Sequence, residues 1–196
     1  MIGRVLRFMR RRPAPRMLVA LFLSLRWRCR VSPSARIDWP ARIRIGRGAR
    51  LDACTVLAQG FVELGPHSQL QDYAYLDTQL DGRISLGAGS AVGPYTVIYG
   101  SGGVSIGAGC SIAGQSMIVS STHTVRDTDR PIREQGYESA PIVIEDDVWL
   151  GAQCTVLPGA VIGRGTIVGA KSLVRRVPLP PMVLAAGVPA QVIRSR

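Results

Sequence analysis

The sequence predicts an all-β protein, a parallel β-helix with the shape of a triangular prism, and three regularities along the chain predict it. The first is a period of six. Apolar residues recur at Ile144, Leu150, Val156, Ile162, Val168 and Val174, at Leu86, Val92 and Ile98, and at Ile106, Ile112 and Ile118. Weaker runs are Ile45, Leu51 and Leu57, then Leu64, Leu70 and Leu76. The second is a glycine directly after many of them, as at Gly46, Gly87, Gly107, Gly151 and Gly169, where the backbone is expected to turn. The third is a small residue four positions on, such as Ala49, Ser90, Cys110, Cys154 or Ser172, expected to fill the gap beneath the large side chain. A step of six matches neither the 3.6 of a helix nor a strand alternation carried through hairpins. Short identical strands stacked along an axis do produce it. Each unit supplies one face and one corner, so about 18 residues close a coil, and coils stack about 4.8 Å apart.

Taken in chain order, the first element is a basic, apolar segment over residues 1–36, read as helical. Residues 1–50 contain fourteen arginines and a single acid, Asp38, whereas the rest of the 196-residue chain is close to neutral. Met17 to Leu25 is almost uniformly apolar, with Arg16 before it and Arg26, Trp27, Arg28 and Arg30 after it. No run reaches the ~18–20 apolar residues that span a bilayer, and no small-residue cleavage site follows as in a secretory signal. Arginines interleaved with apolar side chains suit an anionic membrane surface, so contact through residues 1–30 is expected. Nucleic acid has no use for that apolar content, and no such partner is expected. Packing of the segment against the end of the prism is the alternative.

Residues 37–178 form the repeat, interrupted over 119–140 by a polar, charged stretch without periodicity. A loop ejected from a regular solenoid is not needed for packing, so it is expected to carry function. It contains His123. The other histidine, His67, falls at an outward corner and reads as surface. Pro178, Pro180 and Pro181 end the repeat, since proline cannot donate to a strand ladder, and 179–196 is a tail. The four cysteines, Cys29, Cys54, Cys110 and Cys154, form no CxxC pair. They read as reduced thiols of a cytoplasmic protein, with Cys110 and Cys154 as packing residues in the small inward slot.

Three stretches carry a resemblance: Ala140–Gly151 (APIVIEDDVWLG), Val156–Ser172 (VLPGAVIGRGTIVGAKS) and Ala185–Arg194 (AAGVPAQVIR). With the repeat, they make residues Ile43 to Arg194 similar to the hexapeptide-repeat acyltransferases, most closely the galactoside/maltose and polysaccharide O-acetyltransferase branches. The resemblance implies a left-handed coil, acetyl-CoA as acyl donor, a sugar or glycan acceptor and a homotrimer with sites shared between chains. It also implies that His123 is the general base. The chemistry agrees, because removing a hydroxyl proton near neutral pH suits an imidazole with an ordinary pKa near ~6.5.

For the coenzyme, small residues at Gly151, Ala152, Gly169 and Ala170 leave backbone open to a pantetheine arm. Trp149 resembles the family tryptophan that lines the active-site tunnel, with a core aromatic as the alternative. Lys171, Arg175, Arg176 and Arg194 are expected to form one cationic cluster for the phosphates. Where galactoside acetyltransferases hold the acceptor with an asparagine this chain has Gly93, and Tyr95 or Gln115 are the expected replacements.

Zinc-dependent hydratases of the same fold use three histidines, and this chain has two. No metal is therefore expected. The function expected is O-acetylation of a sugar hydroxyl in surface polysaccharide biosynthesis by direct transfer, in the cytoplasm or at the inner face of the membrane. The alternatives are N-acetylation of an amino-sugar nucleotide or a small amine, acetylation of a small alcohol such as serine, and a non-catalytic trimeric scaffold.

Overall fold

A computed structural model describes residues 15–196, so the first fourteen residues of the basic segment lie outside the described residues. The repeat folds into a solenoid of about eight turns with three parallel sheets. Each turn visits them in one order, here called faces A, B and C. Face A runs from Arg30–Val31 through Arg50–Leu51 and onward to Val183–Gly187. Face B runs from Arg36–Asp38 to Leu173–Val174, and face C from Ile43–Ile45 to Val161–Ile162. The ladder thus extends beyond the periodic stretch at both ends.

The six-residue period places one apolar side chain per face in the interior. Ile144 on face C, Leu150 on face A and Val156 on face B are buried, and the next coil repeats this with Ile162, Val168 and Val174. Small residues fill the corners as expected: Ala49, Ser90, Cys110, Cys154 and Ser172 are all buried. One expected inward position moves. Val56 is buried and Leu57 lies on the outer side of its strand, because the corner after Leu51 is one residue short and Cys54 takes the small slot.

The glycine after the apolar residue has a different reason from the expected turn. A Cβ at Gly151 would lie 2.5 Å from the backbone nitrogen of Ala170 in the next coil, and one at Gly46 would collide with Pro66. These positions exist for close backbone approach. The left-handed backbone needed at each corner falls two residues later, at Gly48, Gly109, Gln153 or Lys171 for example.

Helix α1, Arg16–Trp27, caps the first coil. Val19, Ala20 and Leu23 are buried against the core, with Phe22 and Trp27 partly covered. Among the described residues no helix is long and apolar enough to cross a membrane. At the other end Ala190–Ser195 returns antiparallel along Val183–Gly187 and closes face A.

Candidate active site

The break in the period becomes an arm. Met117–Val119 completes face B of the fifth coil, and face C resumes at Ile142–Ile144. Between them the chain leaves the B–C edge as a two-stranded antiparallel ribbon, Ser121–His123 against Tyr137–Ser139. Arg126 pairs with Glu138 at 2.9 Å across it. At its tip Gln135 Oε1 accepts from the Asp127 N–H, while Gln135 Nε2 donates to the Asp127 and Arg130 carbonyls. The loop that reads as irregular in sequence is therefore internally bonded. His123 is exposed, and its ring lies over that of Tyr137, centroids 4.3 Å apart. No carboxylate of the described residues is hydrogen-bonded to it.

A second set of expected residues comes together on a different edge. Tyr95, Gln115, Gly151, Ala152, Gly169, Ala170 and Lys171 all fall on the A–B edge of successive coils. Tyr73, Tyr95, Gln115, Gln153 and Lys171 form a column there, one per coil, each with a left-handed backbone near φ 60. Such a conformation strains a residue with a Cβ. The C–A edge meets the same demand with Gly48, Gly89, Gly109 and Gly165, departing from glycine at His67 and Asp147. Side chains are thus retained along one edge at positions where glycine would carry less strain. Tyr73 and Tyr95 stack at 4.9 Å, and Gln153 Nε2 donates to Gln115 Oε1 at 2.9 Å.

Backbone groups on this edge are open as well. The Gly151 N–H is used by the ladder, donating to the Val168 carbonyl, and that of Gly169 donates to Ala185. The next residues, Ala152 and Ala170, donate to no backbone carbonyl among the described residues. Pro94 occupies the same slot of this edge two coils before Ala152, and Pro66 the matching slot of the C–A edge, so the ladder does not need an N–H there. Gly187 at the turn of the terminal hairpin donates to Ser172 Oγ and bounds the lower end of the edge.

Trp149 is on face A, two residues before this edge, pointing outward and 52% exposed. It is not a core aromatic. Gly93 has no space for a side chain, since a Cβ would lie 2.6 Å from the Gly114 nitrogen.

The expected cationic cluster does not form. Lys171 is on the A–B edge. Arg175 and Arg176 are on the B–C edge, where Arg176 packs over Gly159. Arg194 is opposite Leu184 at the start of the face A strand, away from the A–B edge. The reason is rotational. A six-residue step turns the chain by one face, so residues four or five apart sit on neighbouring edges. Sequence reading also missed Tyr137, whose pairing with His123 depends on a ribbon register that no periodicity announces, and Gln153. Gln153 holds the same place in its repeat as Gln115, three residues after the inward apolar residue.

A family model described as bacterial transferase hexapeptide (six repeats) matches residues 141–176. A probable acetyltransferase of Mycobacterium tuberculosis is 30% identical over 152 residues, covering 78% of this chain and 49% of that protein. The chain thus spans about half that relative's length. An Escherichia coli protein named as a lipopolysaccharide biosynthesis O-acetyl transferase is 29% identical over 178 residues, covering 87% of this chain and 78% of that one. Among solved structures, a hexapeptide-repeat acetyltransferase of Vibrio cholerae complexed with acetyl coenzyme A is 28% identical, with a TM-score of 0.60 over 67% of this chain and 69% of that one. Coil and relatives agree: the solenoid carries the hexapeptide repeat of bacterial transferases and is similar to that of hexapeptide-repeat acetyltransferases, and the repeat implies its left-handed winding.

Proposed function

We propose that the protein is an acetyl-CoA-dependent O-acetyltransferase acting on a sugar hydroxyl of a surface polysaccharide or its precursor. The observation that carries this reading is the pairing of two unusual features on one solenoid. Its one long ejected arm presents a histidine, and a separate edge offers unbonded N–H groups and retained side chains. Acetyl-CoA in the Vibrio cholerae relative and the lipopolysaccharide role in the name of the Escherichia coli relative support donor and acceptor class.

His123 takes the proton of the acceptor hydroxyl as its oxygen attacks the thioester carbonyl. The Ala152 N–H faces the oxyanion that develops there, and the Ala170 N–H pairs with an amide of the pantetheine arm. Collapse of the tetrahedral species breaks the C–S bond, and the protonated imidazole returns its proton to the departing thiolate. The acetyl group passes directly to the acceptor, with no enzyme-bound acyl intermediate. Trp149 and Lys171 flank the coenzyme, and Tyr95 and Gln115 meet the acceptor.

His123 and Ala152 stand on different edges of one prism. A complete site therefore combines the arm of one chain with the A–B edge of its neighbour, and a closed ring of three satisfies this for every chain.

The test is transfer from acetyl-CoA to a panel of hydroxyl and amino sugars, including nucleotide-linked ones, with the product treated with hydroxylamine. A hydroxylamine-labile acetyl product is expected. A stable amide as the only product would overturn O-transfer. Free CoA released in a stoichiometric burst without acceptor would overturn direct transfer.

A further inference from the structure

We infer that α1 docks the protein on an anionic phospholipid bilayer through the helix face opposite the solenoid. The helix is apolar on both sides. Val19, Ala20 and Leu23 are used on the core. Met17, Leu18, Leu21 and Leu25, about half a turn around the axis, are 65%, 54%, 56% and 74% exposed. A helix that is hydrophobic all round is ordinarily covered on every side, and here the solenoid covers only one. Four large side chains at helical spacing form a continuous stripe rather than scattered surface residues.

Charge selects the occupant. Exposed Arg16 precedes the stripe in the chain and exposed Arg26, Arg28 and Arg30 follow it, none of them in an ion pair among the described residues. The sequence ahead of the helix adds five arginines and no acid within fourteen residues. An apolar stripe in a field of unpaired cations matches an acyl-chain boundary beneath anionic headgroups. A second copy of this end would set arginine against arginine, so self-association through it is disfavoured. Because α1 caps the first coil, docking would stand the prism on its end and leave the arm and the A–B edge in water. The inference does not depend on the proposed chemistry.

The test is co-sedimentation of the full chain with vesicles of phosphatidylcholine alone and of phosphatidylcholine with 30% phosphatidylglycerol. Leu21→Glu/Leu25→Glu serves as the variant, because neither side chain packs on the core and thermal unfolding should be unchanged. Binding to the anionic vesicles is expected, at least tenfold weaker to the neutral ones and at least tenfold weaker for the variant. Equal binding by variant and wild type would overturn the helix face and assign attachment to the arginines alone. No binding by the wild type would overturn the proposal outright. In that case a wild-type mass that falls by half in the variant would give the face to a second copy.

Discussion

His123 faces Tyr137 directly across the antiparallel ribbon, with ring planes tilted by 36°. An exposed imidazole on an arm has many rotamers, and an aromatic neighbour at this distance removes most of them. In the proposed mechanism Tyr137 is thus a positioning residue for His123. His123→Ala is expected to lower kcat by about 10²–10⁴ while thermal stabilisation by acetyl-CoA persists. Tyr137→Ala should lower kcat roughly tenfold with KM for acetyl-CoA unchanged, and Tyr137→Phe should restore it. Loss of coenzyme stabilisation in His123→Ala would contradict the assignment of separate edges.

Ala152→Pro provides a steric control that few backbone donors allow, because Pro94 already occupies this corner two coils earlier. The fold should survive while the proposed oxyanion donor disappears, costing about 10²–10³ in kcat. His123→Ala and Ala152→Pro chains refolded together then test the shared site. Random rings should recover about a quarter of wild-type activity, since one interface in four pairs an intact arm with an intact edge. No recovery would place both halves of the site in one chain.

Lys171 occupies a left-handed corner at φ 60, where glycine would relieve strain. Lys171→Gly should leave the protein unchanged or up to about 1 kcal/mol more stable, the relief being offset by the greater freedom of glycine when unfolded. If Lys171 contacts coenzyme phosphate, the same change raises KM for acetyl-CoA several-fold and weakens its salt dependence. Both quantities come from one preparation, by calorimetry and by initial rates. Unchanged KM would reduce Lys171 to a solvated corner residue.

Burial pushes the Cys54 thiol up from 9.0 to about 12, and raises those of Cys110 and Cys154 as well. The folded state therefore keeps protons that the unfolded chain releases. Stability is fully present below pH 9 and declines as pH rises toward 12, by up to about 1.4 kcal/mol per pH unit for Cys54 alone. Chemical denaturation between pH 8 and 10.5 should show this decline, and Cys54→Ala should flatten it. At neutral pH these three thiols should resist alkylation in the native protein. Rapid labelling of all three would show that the prism opens readily.

The architecture was legible because a six-residue step is a covalent property of the chain. Each large side chain needs an interior, each corner needs a small one, and closing the prism follows from satisfying both. The interruption at residue 119 was legible for the same reason, and with it His123. Side-chain pattern could not say which edge a residue reaches, since that depends on how many residues each corner consumes. Leu57 lost its expected place to Val56 through one short corner, and Lys171 and Arg176 parted because five residues are enough to turn past a face. Conversely, Gln115 and Gln153 are 38 positions apart in sequence and hydrogen-bonded, because the arm is excluded from the stack. The apolar run Met17–Leu25 is equally visible in sequence. Only packing determined that Leu23 serves the core and Leu25 faces outward, since a helix against a flat coil end can bury one side alone.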